Sequence, residues 1–414
     1  MKSRYLYIIA VLFLVAFVTF LTYGCGGGGG GSSGSSGGGG GGGFSLWSKA
    51  AAGGGNTIAI KNNGTLWGWG SNNRGQLGDG TSNLTLYTPN QILPGTTWSA
   101  VAASPDSLYG YTVAIKSDGT LWACGSNNLG QIGDGTLTDR NPPVKIGNAN
   151  NWTAVAVGEG HTLALSTTGT ATTLWAWGNN YSGQLGDGTG VDRKVPTKIG
   201  TSTNWVAIAA GSYHSVALKS DGTLWAWGNN TSGELGDGTY TVRASPTKIG
   251  TGTNWTKIAG GDSHTLAIST TGTASTLWAW GRNTDGQLGD GTTVGKIVPT
   301  KIGTATNWLK VAAGPGSYTG GPHSAGIRTD GSLWTWGNND DGKLGDGTET
   351  NRSTPTRIGT GTNWAEVSCG IYHTIGRKTD GTLWGWGSSI NGELGTGNDV
   401  YALIGSLTPI QIGR

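Results

Sequence analysis

The chain has 414 residues, of which 80 are Gly, 20 are Trp and only 12% are charged. Gly costs roughly 1 kcal/mol in a helix interior relative to Ala, so helical bundles and coiled coils are excluded as the main architecture, and the lack of a Gly-X-Y period excludes collagen. The net charge is +3 with Lys2 and Arg4 at the N-terminus; the nearly neutral remainder offers no electrostatic steering toward nucleic acid or anionic lipid.

In chain order, the first element is an export signal by its pattern: Lys2 and Arg4 precede an uncharged apolar run from Tyr5 to Phe20. The following Leu21-Thr22-Tyr23-Gly24-Cys25 resembles the lipobox of bacterial lipoproteins, whose Cys becomes the lipidated first residue after cleavage. Gly24 fits that pattern, whereas Thr22 stands where the family usually has Leu. The alternative is an uncleaved membrane anchor, because the apolar stretch reaches about the 18-residue threshold for a span. Either way the positive end stays inside and the body lies outside. Residues 26–43 comprise 14 Gly and 4 Ser, a flexible coil with a root-mean-square reach of about 21–25 Å. The expected organisation is a signal peptide or anchor (1–24), a lipidated Cys25 with its Gly/Ser tether (25–43), and a folded body (44–414).

The body repeats. Leu-Trp pairs begin at Leu66, Leu121, Leu174, Leu224, Leu277, Leu333 and Leu383, spaced 50 to 56 residues apart. Each of the seven units opens with a single Trp (Trp47, Trp98, Trp152, Trp205, Trp255, Trp308, Trp364) and carries a Trp-x-Trp pair, with Cys124 replacing the second Trp in unit two; these positions account for all 20 Trp. In unit four, short runs bounded by turn residues predict strands over 205–210, 214–219, 224–228 and 246–249, and Asp221-Gly222 is a hairpin turn between the second and third. Four antiparallel strands per unit, seven times over, predict an all-β, seven-bladed β-propeller. In the third strand Trp225 and Trp227 face one side while Leu224, Ala226 and Gly228 face the other, so each blade sets bulk against its neighbour's small residues.

The motif D-G-T-L-W-x-W-G-x-N-x-x-G-Q-L-G-D-G-T, carried by stretches such as 118–136 and 221–239, resembles the regulator of chromosome condensation repeat, and the resemblance covers residues 47–413. It implies a closed seven-bladed propeller. The founding member is a guanine-nucleotide exchange factor for a small nuclear GTPase, so an exchange-type regulator is one reading that the resemblance implies. A plant ultraviolet-B photoreceptor shares the fold, but its Gly-Trp-Arg-His-Thr repeats have no match here. A secreted bacterial relative that inhibits β-lactamases through its face shows that an exported propeller can bind a protein.

Catalytic and metal chemistry find little support in the sequence. His161, His214, His264, His323 and His373 occupy one repeat position, the start of the second strand, where units one and two have Asn56 and Tyr111; this marks them as structural, and neighbouring blades hold equivalent positions too far apart for metal bonds of roughly 2 Å. The Gly-Asp-Gly-Thr segments carry Asp79, Asp134, Asp187, Asp237, Asp290 and Asp346. They lack the alternating carboxylates of a calcium loop and match turn chemistry. Arg140, Arg193, Arg243, Lys296 and Arg352 follow four residues after the Thr and are expected to brace those connections. Cys124 and Cys369 read as core fillers. No nucleophile elbow, Walker loop or zinc motif appears, so no enzyme, cofactor or metal is expected. A hydrolase or lyase with a pocket at the propeller mouth is the alternative.

Repeat positions build the scaffold, so binding is expected where one unit departs from the rest. Two insertions between strands one and two do so: 104–111, with Asp106, Tyr109 and Tyr111, and 314–323, with Tyr318. They share a face with the Gly-Asp-Gly-Thr loops and with Tyr87, Tyr181 and Tyr240; Tyr is a favoured interface residue. Through these residues the body is expected to bind an extracellular or periplasmic protein or glycan, with the membrane reached through the N-terminus and with no nucleic-acid partner.

Overall fold

Alternation in the Leu-Trp-x-Trp-Gly strand creates the surface on which the architecture rests. Trp225 and Trp227 both meet the ring of Trp205, at 6.0 and 6.4 Å between centroids, while Leu163, Leu165, Leu174 and Ala176 of the preceding blade pack against Trp205 and Trp227. The bulky face of one blade thus fills the small-residue face of the next, as the sequence predicts. Trp227 is fully buried and its Nε1 donates to the Gln184 carbonyl of blade 3 at 2.9 Å. The same cross-blade bond joins Trp177 to Gln131, Trp280 to Glu234 and Trp336 to Gln287.

The computed structural model describes residues 46–413 apart from 83, 107–108, 317–319 and 398–404; Cys25 and Tyr318 lie outside the described residues. Phe44–Arg414 is one compact unit containing seven four-stranded antiparallel sheets, each built from four consecutive strands. The first strands, Trp47–Ala52 through Trp364–Cys369, surround a central channel, and the fourth strands form the outer edges. Connections one-to-two and three-to-four lie on one face, here the loop face. Connections two-to-three and four-to-one lie on the other, the hairpin face.

The ring closes without an exchanged strand. Blade 1 is complete with Trp47–Ala52, and blade 7 is complete with Ser406–Gln411. The Trp47 amide donates to Gly381 O at 2.8 Å, repeating at the junction the bonds of Trp98 to Gly64 and Trp364 to Gly331. Trp69 Nε1 likewise donates across the junction to Glu393 O at 2.8 Å. All seven sheets and their closure therefore come from residues 47–411, a self-contained folding unit.

One strand boundary differs from the sequence expectation. The fourth strand of blade 4 runs Arg243–Lys248 and begins before Pro246, with Arg243 opposite Gly228 after an irregularity in register. Pro is tolerated because this is an outer edge, where the missing N–H faces solvent.

Candidate functional site

The loop face is held by a repeated polar hub. In blade 3, buried Asn180 accepts from Leu185 N at 3.0 Å, and its Nδ2 donates to Asp187 Oδ1, Thr189 O and Val191 O at 3.0–3.1 Å. Asp187 in turn pairs with Arg193 at 2.6 Å, and equivalent pairs join Asp237 to Arg243 and Asp346 to Arg352. Burial pushes the Asp187 carboxyl up, yet donors from Thr189 and Arg193 outweigh it and hold the group below its ordinary range. The cations after the Gly-Asp-Gly-Thr of blades 2–6 thus brace the connection, and the Asn at the hub is a structural residue that the sequence reading did not single out.

The His residues are equally structural. His161 Nε2 lies 3.0 Å from Ser215 Oγ, and that hydroxyl donates to Gln184 O at 2.8 Å. With the hydroxyl proton so engaged, Nε2 is the donor and Nδ1 is unprotonated. His214, His264, His323 and His373 make the same bridge to Thr265, Ser324, Thr374 and Thr57 of the next blade. Burial depresses all five, to about 3 for His161, His264 and His373 and about 4 for His214.

Among the predicted contact residues, Tyr111 is corrected. It is fully buried, and its hydroxyl donates to His161 O at 2.6 Å, spanning the interface between blades 2 and 3. It occupies the His slot of its blade and belongs to the scaffold. Tyr109 is exposed and lies over the Arg74 guanidinium, 5.0 Å from its ring centroid. Asp106 is half-buried and caps its own loop, accepting from Tyr109 N at 3.1 Å. Tyr87 is half-buried in an outer strand. Tyr181 and Tyr240 stand out, 88% and 63% exposed, on the three-to-four connections of blades 3 and 4.

They have company that the sequence reading missed. Val191 is exposed on the same connection as Tyr181, and Leu84, Leu137, Val294 and Ile390 are exposed on the corresponding connections of blades 1, 2, 5 and 7. The hairpin face offers Thr, Asn and Gly in its four-to-one connections, as in 200–204 and 250–254. Among the described residues most exposed large apolar side chains lie on the loop face, with Leu46, Val206 and Leu309 toward the other.

Nearer the axis, Pro105, Ser212 and Pro315 help line a cavity of about 140 Å³ at the loop-face mouth of the channel. Burial, reinforced by Asp106 and Asp262, pushes the adjacent Glu159 carboxyl up against the hydrogen bond from Tyr213. Asp262 there pairs with Arg282 at 3.5 Å, so the mouth carries charge of both signs. At the position where four blades carry Gln (such as Gln184), blades 6 and 7 bury Lys343 and Glu393. The Lys343 ammonium donates to Gly321 O and Ile371 O, and burial pushes Glu393 up to about 7.

The opposite end of the channel is cationic. Lys257 and Lys310 line it with Glu366, while Arg377 pairs with Glu366 at 3.3 Å. A signal for this cluster is present in the chain: the third residue of the first strand is Ala100, Ala154 and Ala207 in blades 2–4, but Lys49, Lys257, Lys310 and Glu366 elsewhere. No group of three or more His, Cys, Asp or Glu among the described residues is placed to hold a metal ion.

Comparisons with known proteins agree with this geometry. The RCC1-like domain matches residues 42–318, and the Regulator of chromosome condensation (RCC1) repeat matches residues 330–376 and 364–393. The ultraviolet-B receptor UVR8 of Arabidopsis thaliana is 30% identical over 74% of this chain, and the E3 ubiquitin-protein ligase HERC2 of Homo sapiens 29% over 73%. The chain spans 57% of the length of the former and 6% of the latter. The structure of yeast RCC1 (Prp20), solved with Kap60 bound, superimposes with a TM-score of 0.67 at 25% identity, covering 78% of each chain.

Proposed function

The chain belongs to the regulator of chromosome condensation (RCC1) repeat family, and on that footing we propose that it is an exported, envelope-tethered module that binds a protein partner against its loop face. The observation that carries this reading is the concentration of exposed apolar side chains there: Tyr181, Tyr240 and Val294 are 63–88% exposed on loops whose backbones are fixed by the hubs of Asn180, Asn230 and Asn283. Rigid loops with exposed aromatic and aliphatic tips lose little entropy on binding and supply the buried centre of an interface. Lys2, Arg4, the apolar run from Tyr5 and Cys25 support export and tethering, and the partner would then be met outside the cytoplasm.

The test uses residues 44–414 as bait for envelope proteins of the producing bacterium. A partner captured by the wild type is expected to be lost with Tyr181→Ser/Tyr240→Ser/Val294→Ser and retained with Thr201→Ala/Thr251→Ala on the hairpin face, both variants melting as the wild type does. Equal capture by both variants, or capture of nothing, overturns the proposal. Tethering has its own readout: in the full chain, Cys25→Ser is expected to move the protein from the membrane fraction to the soluble one, and unchanged fractionation refutes lipidation.

A further inference from the structure

We propose that the hairpin-face end of the central channel is a binding site for a small organic anion, a carboxylate or phosphate carried on a body of monosaccharide size. The first strands line an open cleft of about 490 Å³, inside the range of roughly 300–1,000 Å³ typical of small-molecule pockets. Its walls are aliphatic, with Val101, Val157 and Val311 among them, and its charged groups are Lys257, Lys310 and Glu366. Such a composition, apolar walls with a few polar groups on one side, is that of a ligand site.

The charges depart from the repeat in a concerted way. Blades 5, 6, 7 and 1 are consecutive around the ring and carry Lys257, Lys310, Glu366 and Lys49, while the three remaining blades carry Ala at that position. A charged arc therefore faces an apolar one. Arg377 is a second departure: it lies in register opposite Glu366, at a second-strand position where other blades have aliphatics such as Leu218 and Ile327. Scaffold packing alone gives no reason to place an Arg there.

The cluster is not neutralised. Glu366 is shared, with Oε2 3.3 Å from Arg377 Nε and Oε1 3.7 Å from Lys310 Nζ. No ion pair to Lys257 is found among the described residues. Burial, with Arg377 and Lys257 opposing the pull of Glu366, holds the Lys310 ammonium below the ordinary Lys range. Excess positive charge in a partly enclosed, low-dielectric cleft draws anions and focuses the field on them. A bound carboxylate or phosphate accepts from the Lys257 and Lys310 ammoniums, and a ligand hydroxyl donates to the Glu366 carboxylate. At the other end Asp262 is paired with Arg282 at 3.5 Å and the cavity is about 140 Å³ against about 490 Å³ here, which makes the hairpin face the wider route of entry.

The experiment is calorimetric titration of residues 44–414 with glucose 6-phosphate and with glucuronate, glucose serving as the neutral control. Saturable binding at one site is expected for at least one of the anions, none for glucose, and an affinity that falls as salt rises. Preference for the first anion assigns a phosphate source; preference for the second assigns an acidic-sugar source. Lys257→Gln/Lys310→Gln is expected to weaken binding at least about tenfold, since each removes a charge-assisted hydrogen bond. Should the double variant melt at a lower temperature, the exposed Lys257→Gln alone carries the comparison, with a loss of about threefold. No saturable binding of either anion, equal binding of glucose, or wild-type affinity in the variant that folds normally overturns the proposal.

Discussion

Lowering the pH from about 7.5 to about 5 is expected to reduce the unfolding free energy by about 8 kcal/mol, a fall set by five buried imidazoles. In the unfolded chain His binds a proton near pH 6.5; in the propeller His161, His264 and His373 do so only at about 3 and His214 at about 4, with His323 well below its ordinary value. Between those limits the unfolded state binds more protons than the folded one, so stability falls as pH falls. At pH 5 the cost is about 2 kcal/mol per ring, about 10 for five. Glu393 acts in the opposite direction, joined by Glu159 and Glu234, which burial also pushes up: Glu393 is lifted from 4.5 to about 7, so the folded state gains stability as the pH drops through that window, with about 2 kcal/mol returned by Glu393 alone. The remainder is comparable to the whole net stability of a domain, about 5–15 kcal/mol. The geometry explains why the rings cannot take the proton: Nε2 is committed to a hydroxyl, and Nδ1 of His161, His264, His323 and His373 has no partner among the described residues. Urea midpoints at several pH values check this. The steepest loss is expected between pH 6.5 and 4.5, and His214→Asn, which copies Asn56 of blade 1, is expected to remove about a fifth of it. A midpoint that stays level to pH 5 and collapses only in the carboxylate range rules the explanation out.

The same five residues show how much was legible in the chain. Their recurrence at one position identified them as scaffold without coordinates, because a residue that five of the seven blades carry at the same place serves what the blades share. Tyr111 was open to the same logic, since it stands in that slot; its place at the end of a unique insertion gave it a surface reading, whereas its hydroxyl reaches over to His161 O at 2.6 Å. The apolar fringe was partly legible through Tyr181 and Tyr240, but Leu137 or Val294 looks like ordinary strand material until the loop geometry exposes it. The channel cations were the hardest to see. A Lys in Trp-Thr-Lys-Ile is the usual solvent-side residue of a strand, and Lys257, Lys310 and Glu366 lie more than fifty residues apart in sequence. Only closure of the ring makes them one cluster.

Truncating an inter-blade Trp is expected to be the most damaging single change to the ring. Trp227→Ala should cost about 3–5 kcal/mol, the range for emptying a buried indole site. The indole is fully buried between blades 3 and 4, and it sits so close to the neighbouring backbone that a Cβ on Gly186 would lie 2.7 Å from its Nε1. Loss of its hydrogen bond contributes little, because Gln184 O keeps the Ser215 hydroxyl at 2.8 Å as a donor; the cavity dominates. Trp225→Ala is the internal comparison. That ring is half-buried, bonds Thr223 within its own blade at 2.9 Å and lies 3.9 Å beneath the Lys219 ammonium, so its loss should cost less than half as much. Blade 2 shows why the empty site does not heal by itself. There Cys124 replaces the Trp, lined by Leu77, Trp122 and Pro143, and about 10 Å³ is left, room for one water at most. In blade 4 Pro246 stands beside Gly186 as Pro143 stands beside Gly78 in blade 2, so that side of the site is already filled and cannot close further over a missing indole. Denaturant midpoints of the two variants decide the matter: equal losses, or a loss below about 1 kcal/mol for Trp227→Ala, would mean that the blades are held by something other than the indole-into-glycine contact.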